Sequence, residues 1–235
     1  TPHDSHAELA ARALRAGKHV FCEKPLALTM EELDDVEAAW KESGRVLFVG
    51  FNRRYSEAVA KVREHFAGGT GPLVITYRVN AGPIPKGHWY NDRRQGGRLL
   101  GEVCHFIDTC DAIVGSDALD VIGLGSGPLD DDVILGLRYP DGSLATISYS
   151  SAGHSSTEKE RIEILGRGRS ATVVDFTALV LDGSKVALTR TDKGHQAEIR
   201  LFREALSTGM GDCLLTASTR ASLRAVASLV GTGET

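Results

Sequence analysis

Compact apolar segments alternate with amphipathic helices over the first fifty residues, and this alternation restricts the fold of the chain more than any other feature. Apolar side chains recur at helical spacing between residues 5 and 16, and the apolar run 19–22 that follows ends before Pro25. A second helix and a second apolar run, 45–50, complete the series. Strands that alternate with helices across short loops are typical of a parallel sheet with crossover helices. We therefore predict an α/β layer over residues 1–50.

The second of these helices carries a recognisable start signal. Thr29 precedes Glu32 by three residues, which is the spacing of a capping box, and Gly44 follows the last apolar position. The apolar stripe between them comprises Leu33, Val36, Ala39 and Trp40. The sequence therefore predicts a helix that begins after Thr29 and ends at Gly44.

Beyond residue 50 the chain changes character, because short strand-like segments separated by turns become dominant. Pro140-Asp141-Gly142 and Asp182-Gly183 are turn sequences of the kind that join antiparallel strands. We predict an open, mixed and mostly antiparallel β-sheet with flanking helices, in an α/β (α+β) fold. The predicted strands are 73–79, 119–124, 132–139, 144–150, 161–165, 170–175 and 185–189, and the predicted helices are one through Val59 and Phe66, 101–114, 195–207 and 216–230.

Composition limits the classes of partner. The 235 residues include 27 Lys and Arg against 31 Asp and Glu, a net charge of −4 with no basic tract, so we expect neither nucleic acid nor a membrane surface as partner. The apolar runs are far shorter than the roughly 20 residues that span a bilayer, and we expect a soluble, cytoplasmic protein. The four cysteines form no C-x-x-C pair, so we expect buried, reduced thiols and no metal site.

Glu23-Lys24-Pro25 ends the first buried strand and is the first candidate site. Ligands bind outside the carboxyl ends of the strands in an open parallel sheet. A lysine at that edge could contact a substrate oxygen or a cofactor amide, and partial burial would adapt it to acid–base use. The alternative is an exposed lysine that pairs with a glutamate in a turn.

The second candidate is the segment 96–108, in which glycines lead into a helix. Helical spacing places Glu102, His105 and Asp108 near one face. Histidine is the side chain best suited to move a proton near neutral pH, and a carboxylate one turn away could orient its ring. A histidine in an apolar helix is otherwise a hydrogen-bonded core residue, and spacing alone leaves both interpretations open.

These two segments together resemble the Gfo/Idh/MocA family of NAD(P)-dependent oxidoreductases, and the resemblance covers nearly the whole chain. It rests on Ala16 to Pro25, on the later Gly-Gly-x-Leu-Leu…His-x-x-Asp stretch, and on Thr1-Pro2…His6, Gly50 to Tyr55 and the closing helix 219–229 in the family's order. Segments 79–85 and 101–108 are most similar to a subgroup fused behind a zinc-type alcohol dehydrogenase module.

The resemblance implies a Rossmann-like dinucleotide-binding domain, of which residues 1–50 would be the second half, and a C-terminal α/β domain, 51–235, for substrate binding and oligomerisation. It implies NAD or NADP as cofactor, a sugar or polyol as substrate, and a homo-oligomer formed through the open sheet face. Lys24 would contact substrate and nicotinamide, and His105 would accept the substrate's proton, with Glu102 or Asp108 orienting the imidazole. The implied cofactor-binding residues are Thr1, Pro2, His6, Glu23, Lys24 and Pro25.

A polar and aromatic segment supplies most of the candidate substrate residues. Its side chains could hydrogen-bond to a sugar or stack on it, and an ordinary polar loop is the alternative. The residues are Asn80, His88, Trp89, Tyr90, Arg94 and, on the predicted helix, Asp108.

Two departures from the family pattern bear on function. The position four residues before the histidine, commonly Asp in the family, is Gly101, and the nearby carboxylate is Glu102. The chain also has no strand followed by G-x-G-x-x-G, the segment that sets a pyrophosphate on a helix N-terminus, so we expect a fragment without the first half of the Rossmann-like domain. The alternatives are a non-catalytic relative that serves binding or assembly, and a cofactor-independent lyase or epimerase that uses Lys24 and His105.

Overall fold

The computed structural model describes residues 1–85, 87–125, 131–208 and 216–230. Its first part contains α1 (His6–Arg15), β1 (Val20–Cys22), α2 (Met30–Ser43) and β2 (Leu47–Val49). Strands β1 and β2 are parallel, with Val20 opposite Leu47, and α1 packs against α2. A parallel pair needs a long crossover between its strands, and α2 supplies it. The predicted α/β layer is therefore confirmed.

The predicted start and end of α2 are both observed. Oγ1 of Thr29 accepts a hydrogen bond from the Glu32 amide at 3.1 Å, and the Glu32 carboxylate accepts one from the Thr29 amide at 3.3 Å. Gly44 ends the helix with a φ of +60°, in the left-handed region that favours glycine. The limits of this helix are thus set by residues at its own ends.

The remaining described residues are built on an eight-stranded sheet. Its strands are β3 (Leu73–Asn80), β4 (Asp120–Leu124), β5 (Val133–Arg138), β6 (Leu144–Ser150), β7 (Glu160–Gly166), β8 (Arg169–Val174), β9 (Ala178–Leu181) and β10 (Ser184–Val186). Their order in the sheet is β10-β9-β8-β7-β3-β6-β5-β4. Neighbours β3 and β6 are parallel, and the other described neighbours are antiparallel. The sheet is therefore mixed and mostly antiparallel, as predicted.

Three helices pack on one face of this sheet, α3 (Glu57–Ala67), α4 (Cys104–Val114) and α6 (Thr216–Val230), and α5 (His195–Thr208) packs on the turn Asn52–Tyr55. Along β3, alternate side chains from Leu73 to Val79 are buried and those between them are exposed or half-buried, because successive residues of a strand point to opposite faces. None of the helices in the described part of the chain has the length and apolar character needed to cross a membrane.

The last hairpin of the sheet differs from the prediction. The sequence pattern does not predict β9, and the predicted strand 185–189 is instead the short β10. Asp182 and Gly183 have φ values of +47° and +79°, so the chain reverses at them and β10 pairs back onto β9. Strands of three or four residues contain too few positions for their alternation to be recognised in a sequence.

The thiols of Cys22, Cys104 and Cys110 are free and buried, as expected. The fourth cysteine, Cys213, lies outside the described residues. Among the residues that the structure describes, no group of three or more His, Cys, Asp or Glu side chains could hold a metal ion.

Two hydrophobic cores meet at the start of α4. The first lies between the sheet and its helices and contains Tyr77 and Phe106. The second fills the α/β layer around Leu33 and also includes Leu100 and Cys104. Because side chains at the start of this helix are buried in both cores, the helix is held against the layer that carries β1.

Candidate active site

Lys24 and the start of α4 meet beyond the end of β1. The peptide bond between Lys24 and Pro25 is cis, and the Pro25 carbonyl oxygen accepts a hydrogen bond from Nδ1 of His6 at 2.9 Å. Nζ of Lys24 donates to the carbonyl oxygen of Gly101 at 2.5 Å. The two segments that carry the family resemblance, 77 residues apart at this contact, are therefore joined directly.

Gly101 leaves no room for a side chain. A Cβ atom there would lie 2.8 Å from Cε1 of Tyr90 and 2.9 Å from Cε1 of His3. Both distances are shorter than the closest approach of two non-bonded carbon atoms. The residue belongs to a π-helical turn, Leu99–Val103, an irregularity that is frequent at functional sites. The rings of Tyr90 and His3 therefore occupy the space that a side chain at this position would need.

His105 is a buried imidazole near several cations. It is 8% exposed, and its Nδ1 has no hydrogen-bond partner among the described residues. Burial lowers the pKa of His105 well below its usual value, and the positive charges of Arg53, Lys24, Lys193 and His195 lower it further. The ring is therefore unprotonated at neutral pH, and a neutral imidazole has one nitrogen that can accept a proton.

A buried carboxylate balances two of these cations. Glu160 accepts hydrogen bonds from Nε and Nη2 of Arg53 at 2.8 and 2.9 Å, from the Tyr77 hydroxyl at 2.6 Å and from the Lys193 ammonium. Burial by itself would raise the pKa of Glu160, but its bonds and charge interactions with Arg53 and Lys193 lower it to about 2. The carboxylate thus stays ionised and ties β7 to the turn that follows β2.

The carboxylates predicted to orient His105 form other interactions. The Glu102 carboxylate accepts a hydrogen bond from the Tyr149 hydroxyl at 2.5 Å. Asp108 is fully buried, lies 3.3 Å from the Arg54 guanidinium and accepts from the Ser218 hydroxyl at 3.2 Å. None of these interactions involves the His105 ring, so the orientation of the imidazole by Glu102 or Asp108 stays a prediction. A π-helical turn has more residues per turn than an α-helix, so ideal α-helical spacing does not describe this segment.

Asp108 instead belongs to a buried polar cluster between α4 and α6. The Ser218 hydroxyl also lies 2.9 Å from the Asp111 carboxylate, which accepts from the Tyr139 hydroxyl at 3.0 Å. Burial is the main cause that raises the pKa of both Asp108 and Asp111 to about 7. Asp108 is thus enclosed by these elements, and its role in binding substrate stays a prediction.

Two of the candidate substrate residues line a cavity next to Lys24. This cavity has a volume of about 500 Å³, and Trp89 and Tyr90 form part of its wall. Nδ1 of His88 accepts a hydrogen bond from the Tyr90 amide at 3.2 Å, so His88 shapes the turn that carries both rings. The ring of Trp89 packs edge-on against His3, with centroids 4.7 Å apart.

The other candidate substrate residues have partners within the protein. The Asn80 side-chain amide donates to the carbonyl oxygens of His154 at 2.8 Å and Thr157 at 3.4 Å, which holds the loop between β6 and β7. The exposed Arg94 pairs with Asp92 at 2.7 Å. Arg94 also borders a neighbouring cavity of about 600 Å³, together with Thr1 and Trp89.

Most of the predicted cofactor residues border the same cavity. Thr1, His6, Glu23 and Lys24 line it, and Pro2 borders the neighbouring cavity of about 600 Å³. Pro25 contributes its carbonyl oxygen to the hydrogen bond with His6. A concave site that combines apolar and aromatic walls with a few polar groups is suited to a small ring such as nicotinamide.

Sequence reasoning missed several buried charged residues beside the site. Glu160 occupies an inward-facing position of β7, where a charged residue among the apolar Ile162 and Ile164 could have indicated a buried ion pair. Glu198, in the first turn of α5, is 4% exposed, and its Oε1 has no hydrogen-bond partner in the described structure. Burial, with the charges of Glu23 and Asp108, raises the pKa of Glu198 to about 8. Its proximity to Glu23 could not be read from the sequence.

Two family descriptions match the chain. Residues 1–51 match "Oxidoreductase family, NAD-binding Rossmann fold", and residues 58–172 match "GFO/IDH/MocA C-terminal domain". Among curated relatives, myo-inositol 2-dehydrogenase of Thermotoga maritima is 31% identical over 88% of this chain and 67% of its own length. Levoglucosan dehydrogenase of Pseudarthrobacter phenanthrenivorans is 29% identical over 71% of this chain and 52% of its own length.

A solved structure of a levoglucosan dehydrogenase, in complex with NADH and levoglucosan, has the same fold. Its TM-score is 0.81 at 23% identity, and the match covers 99% of this chain and 76% of that one. Fold, site and family matches together define a nicotinamide-dependent oxidoreductase. Within that class the chain belongs to the Gfo/Idh/MocA family. It spans about two thirds of the inositol dehydrogenase and about half of the levoglucosan dehydrogenase of Pseudarthrobacter.

Proposed function

We propose that the protein to which this chain belongs oxidises a secondary alcohol of a sugar or polyol, or reduces the corresponding ketone, by hydride transfer with NAD or NADP. The observation that carries the proposal is the contact between Lys24 and Gly101, which places the lysine of one motif next to the helix of the buried, neutral His105. The substrate class is supported by the relatives named for myo-inositol and levoglucosan.

The nicotinamide, when bound, would accept the hydride from the alcohol carbon or return it. We assign its position to the cavity beside Lys24, with Thr1, His6, Glu23 and Lys24 as the residues that would hold it. Pro2 and Pro25 would shape the two loops that carry these residues.

Loss of a hydride from carbon requires loss of a proton from the alcohol oxygen, and His105 is the base in this proposal. Its neutral ring can take that proton once substrate lies within hydrogen-bond reach. Lys24 would donate a hydrogen bond to the same oxygen and stabilise the negative charge that develops there. The cations that keep the His105 ring unprotonated also favour that charge.

His105→Ala in the complete protein tests this assignment. We expect the rate of turnover to fall about a hundredfold or more, the scale typical of a lost general base, with cofactor affinity nearly unchanged. Lys24→Ala should lower both turnover and substrate affinity. His154→Ala, which alters an exposed histidine of the loop between β6 and β7, is the matched control.

Near-normal turnover of the His105 variant would return His105 to the role of a core residue. The two alternative functions make different predictions. A binding or assembly relative would show no turnover in the wild type, and a cofactor-independent lyase or epimerase would turn over substrate without added NAD or NADP.

We also propose that a second copy of the protein covers the outer face of the eight-stranded sheet. On that face Val74 lies between its register partners Leu144 and Leu165, and Leu124 lies opposite Ile134. These five side chains are each about half exposed or more. They form two apolar groups on the same face, one on β7, β3 and β6 and the other on β4 and β5, and exposed apolar surface of this kind is suited to an interface. A clean monomer in sedimentation experiments at high concentration would count against it.

The finer assignments from the sequence stay predictions. They are a division into a domain of residues 1–50 and a domain of 51–235, membership of the subgroup fused to a zinc-type alcohol dehydrogenase module, and a cytoplasmic location. The complete reading frame of the gene tests the first two, since it would contain the G-x-G-x-x-G segment and the zinc-type module if both are present.

A further inference from the structure

Two hydrogen-bond donors converge on the carbonyl oxygen of Gly101. Nζ of Lys24 lies 2.5 Å from this oxygen, and the hydroxyl of Tyr90 lies 3.4 Å from it. Both side chains also line the cavity of about 500 Å³. The Tyr90 hydroxyl therefore lies next to Nζ of Lys24, the group that would contact substrate in the proposed function.

The position of this phenol is set from several sides. The Tyr90 ring packs against Trp89 with centroids 4.3 Å apart and against His88 at 5.3 Å. Its edge approaches Gly101 so closely that a Cβ there would be 2.8 Å away. The ring is half-buried within this group, so the hydroxyl is held beside Lys24.

We propose that Tyr90 is a further catalytic residue, whose hydroxyl joins Lys24 in donating hydrogen bonds to the substrate oxygen at the reacting carbon. The inference rests on the proposed function. An alcohol or ketone oxygen that enters the cavity replaces the Gly101 carbonyl oxygen as the acceptor shared by the two donors. No proton leaves Tyr90: the proton of the alcohol goes to His105, and the phenol keeps its own.

The electrostatic surroundings agree with a donor role. Burial raises the pKa of Tyr90 above its usual value, and the negative charge of Glu102 raises it further. The phenol therefore stays protonated throughout the neutral range and always has a hydrogen to donate. Two fixed donors aimed at an oxygen that gains negative charge stabilise the transition state more than the ground state.

Tyr90→Phe in the complete protein tests this role. Turnover is measured for the oxidation of myo-inositol and levoglucosan and for the reduction of a sugar ketone, 1,5-anhydro-D-fructose, with both NAD(H) and NADP(H). The variant keeps the ring and loses the hydroxyl. We expect turnover to fall about a hundredfold, the effect typical of removing one donor to a developing oxyanion, with cofactor affinity and thermal midpoint unchanged. Tyr55→Phe, outside this cavity, is the matched control and should retain wild-type turnover.

Gly101→Ala provides a second and independent test. Its methyl group would displace the rings of Tyr90 and His3, so the single variant should lose at least as much turnover as Tyr90→Phe. Because the hydroxyl would already be misplaced, adding Tyr90→Phe to Gly101→Ala should cost little more. If the fold-losses in turnover of the two single variants multiply in the double variant, the proposal is contradicted, since the Tyr90 hydroxyl would then not act through its position beside Gly101.

The outcomes separate this proposal from the function on which it rests. If Tyr90→Phe retains wild-type turnover while His105→Ala loses it, the role of Tyr90 is overturned and the proposed function stands. If His105→Ala also retains turnover, the proposed mechanism fails as well. If the wild type turns over none of the three compounds with either cofactor, both proposals are overturned together.

Discussion

Replacing Glu160 by glutamine should reveal how strongly the buried ion pair beside the active site stabilises the fold. The substitution keeps the shape of the side chain and removes the charge that compensates Arg53 and Lys193. Breaking a buried, hydrogen-bonded pair on one side leaves uncompensated cations, at a cost of about 3–5 kcal/mol. We expect Glu160→Gln to lower the free energy of unfolding by that amount at pH 7.

The lowered pKa of Glu160 gives a similar value for this loss in free energy of unfolding. Lowering it from 4.5 to about 2 in the folded protein corresponds to about 3 kcal/mol, at about 1.4 kcal/mol for each tenfold change in acidity. Because the folded-state pKa is the lower one, this stabilisation is present above pH 4.5 and is lost as the pH falls toward 2. The difference between wild type and variant should therefore shrink to roughly half at pH 3.

Urea unfolding of the complete protein, followed by far-UV circular dichroism at pH 7 and pH 3, measures both effects. Glu163→Gln is the matched control, because Glu163 lies on the same strand in an exposed pair with Arg161 and should contribute no more than about 1 kcal/mol. If Glu160→Gln were as stable as Glu163→Gln at pH 7, the reasoning about the buried network would be refuted.

Two further predictions concern a helix cap and a buried acid. Thr29→Ala should cost about 1 kcal/mol of stability in thermal unfolding, because the Glu32 amide loses its acceptor, and Thr29→Ser should keep most of it; equal losses in both variants would contradict the capping role. The pKa of Glu198 is raised from 4.5 to about 8, so the folded protein holds a proton that the unfolded chain releases, and stability should fall as the pH rises between these values. Urea unfolding at pH 5 and pH 8 should show a smaller loss of stability for Glu198→Gln than for the wild type. If both lose the same free energy of unfolding between these pH values, the raised pKa of Glu198 is contradicted.

The elements that could be predicted are those whose signals lie in neighbouring residues. The capping box at Thr29 and the left-handed Gly44 mark the ends of α2 within the helix itself. The turns at 140–142 and 182–183 likewise select hairpins locally. Strand β9 escaped prediction because four residues between two tight turns carry almost no periodicity.

The candidate site could be predicted in part. The lysine motif and the histidine motif could be recognised from their residues and their order in the chain. The contact of Lys24 with Gly101 brings the two segments together. The burial of Asp108 could not be predicted, because helical spacing places a residue on a face but does not say what packs against that face. Ser218, from a helix more than a hundred residues later, closes over Asp108.

Local sequence alone thus determined the α/β start of this protein, the mixed character of its sheet and the two motif segments, since propensity, capping and turn chemistry act over a few residues. The approach of Tyr90 to Gly101 joins residues 11 positions apart, and the pairing of Arg53 with Glu160 joins residues 107 positions apart. The burial of His105 depends on packing from several elements. Charge interactions and desolvation depend on distance in space rather than along the chain. The protonation states and hydrogen-bond donors of the site therefore follow from the folded arrangement and could not be derived from residue order.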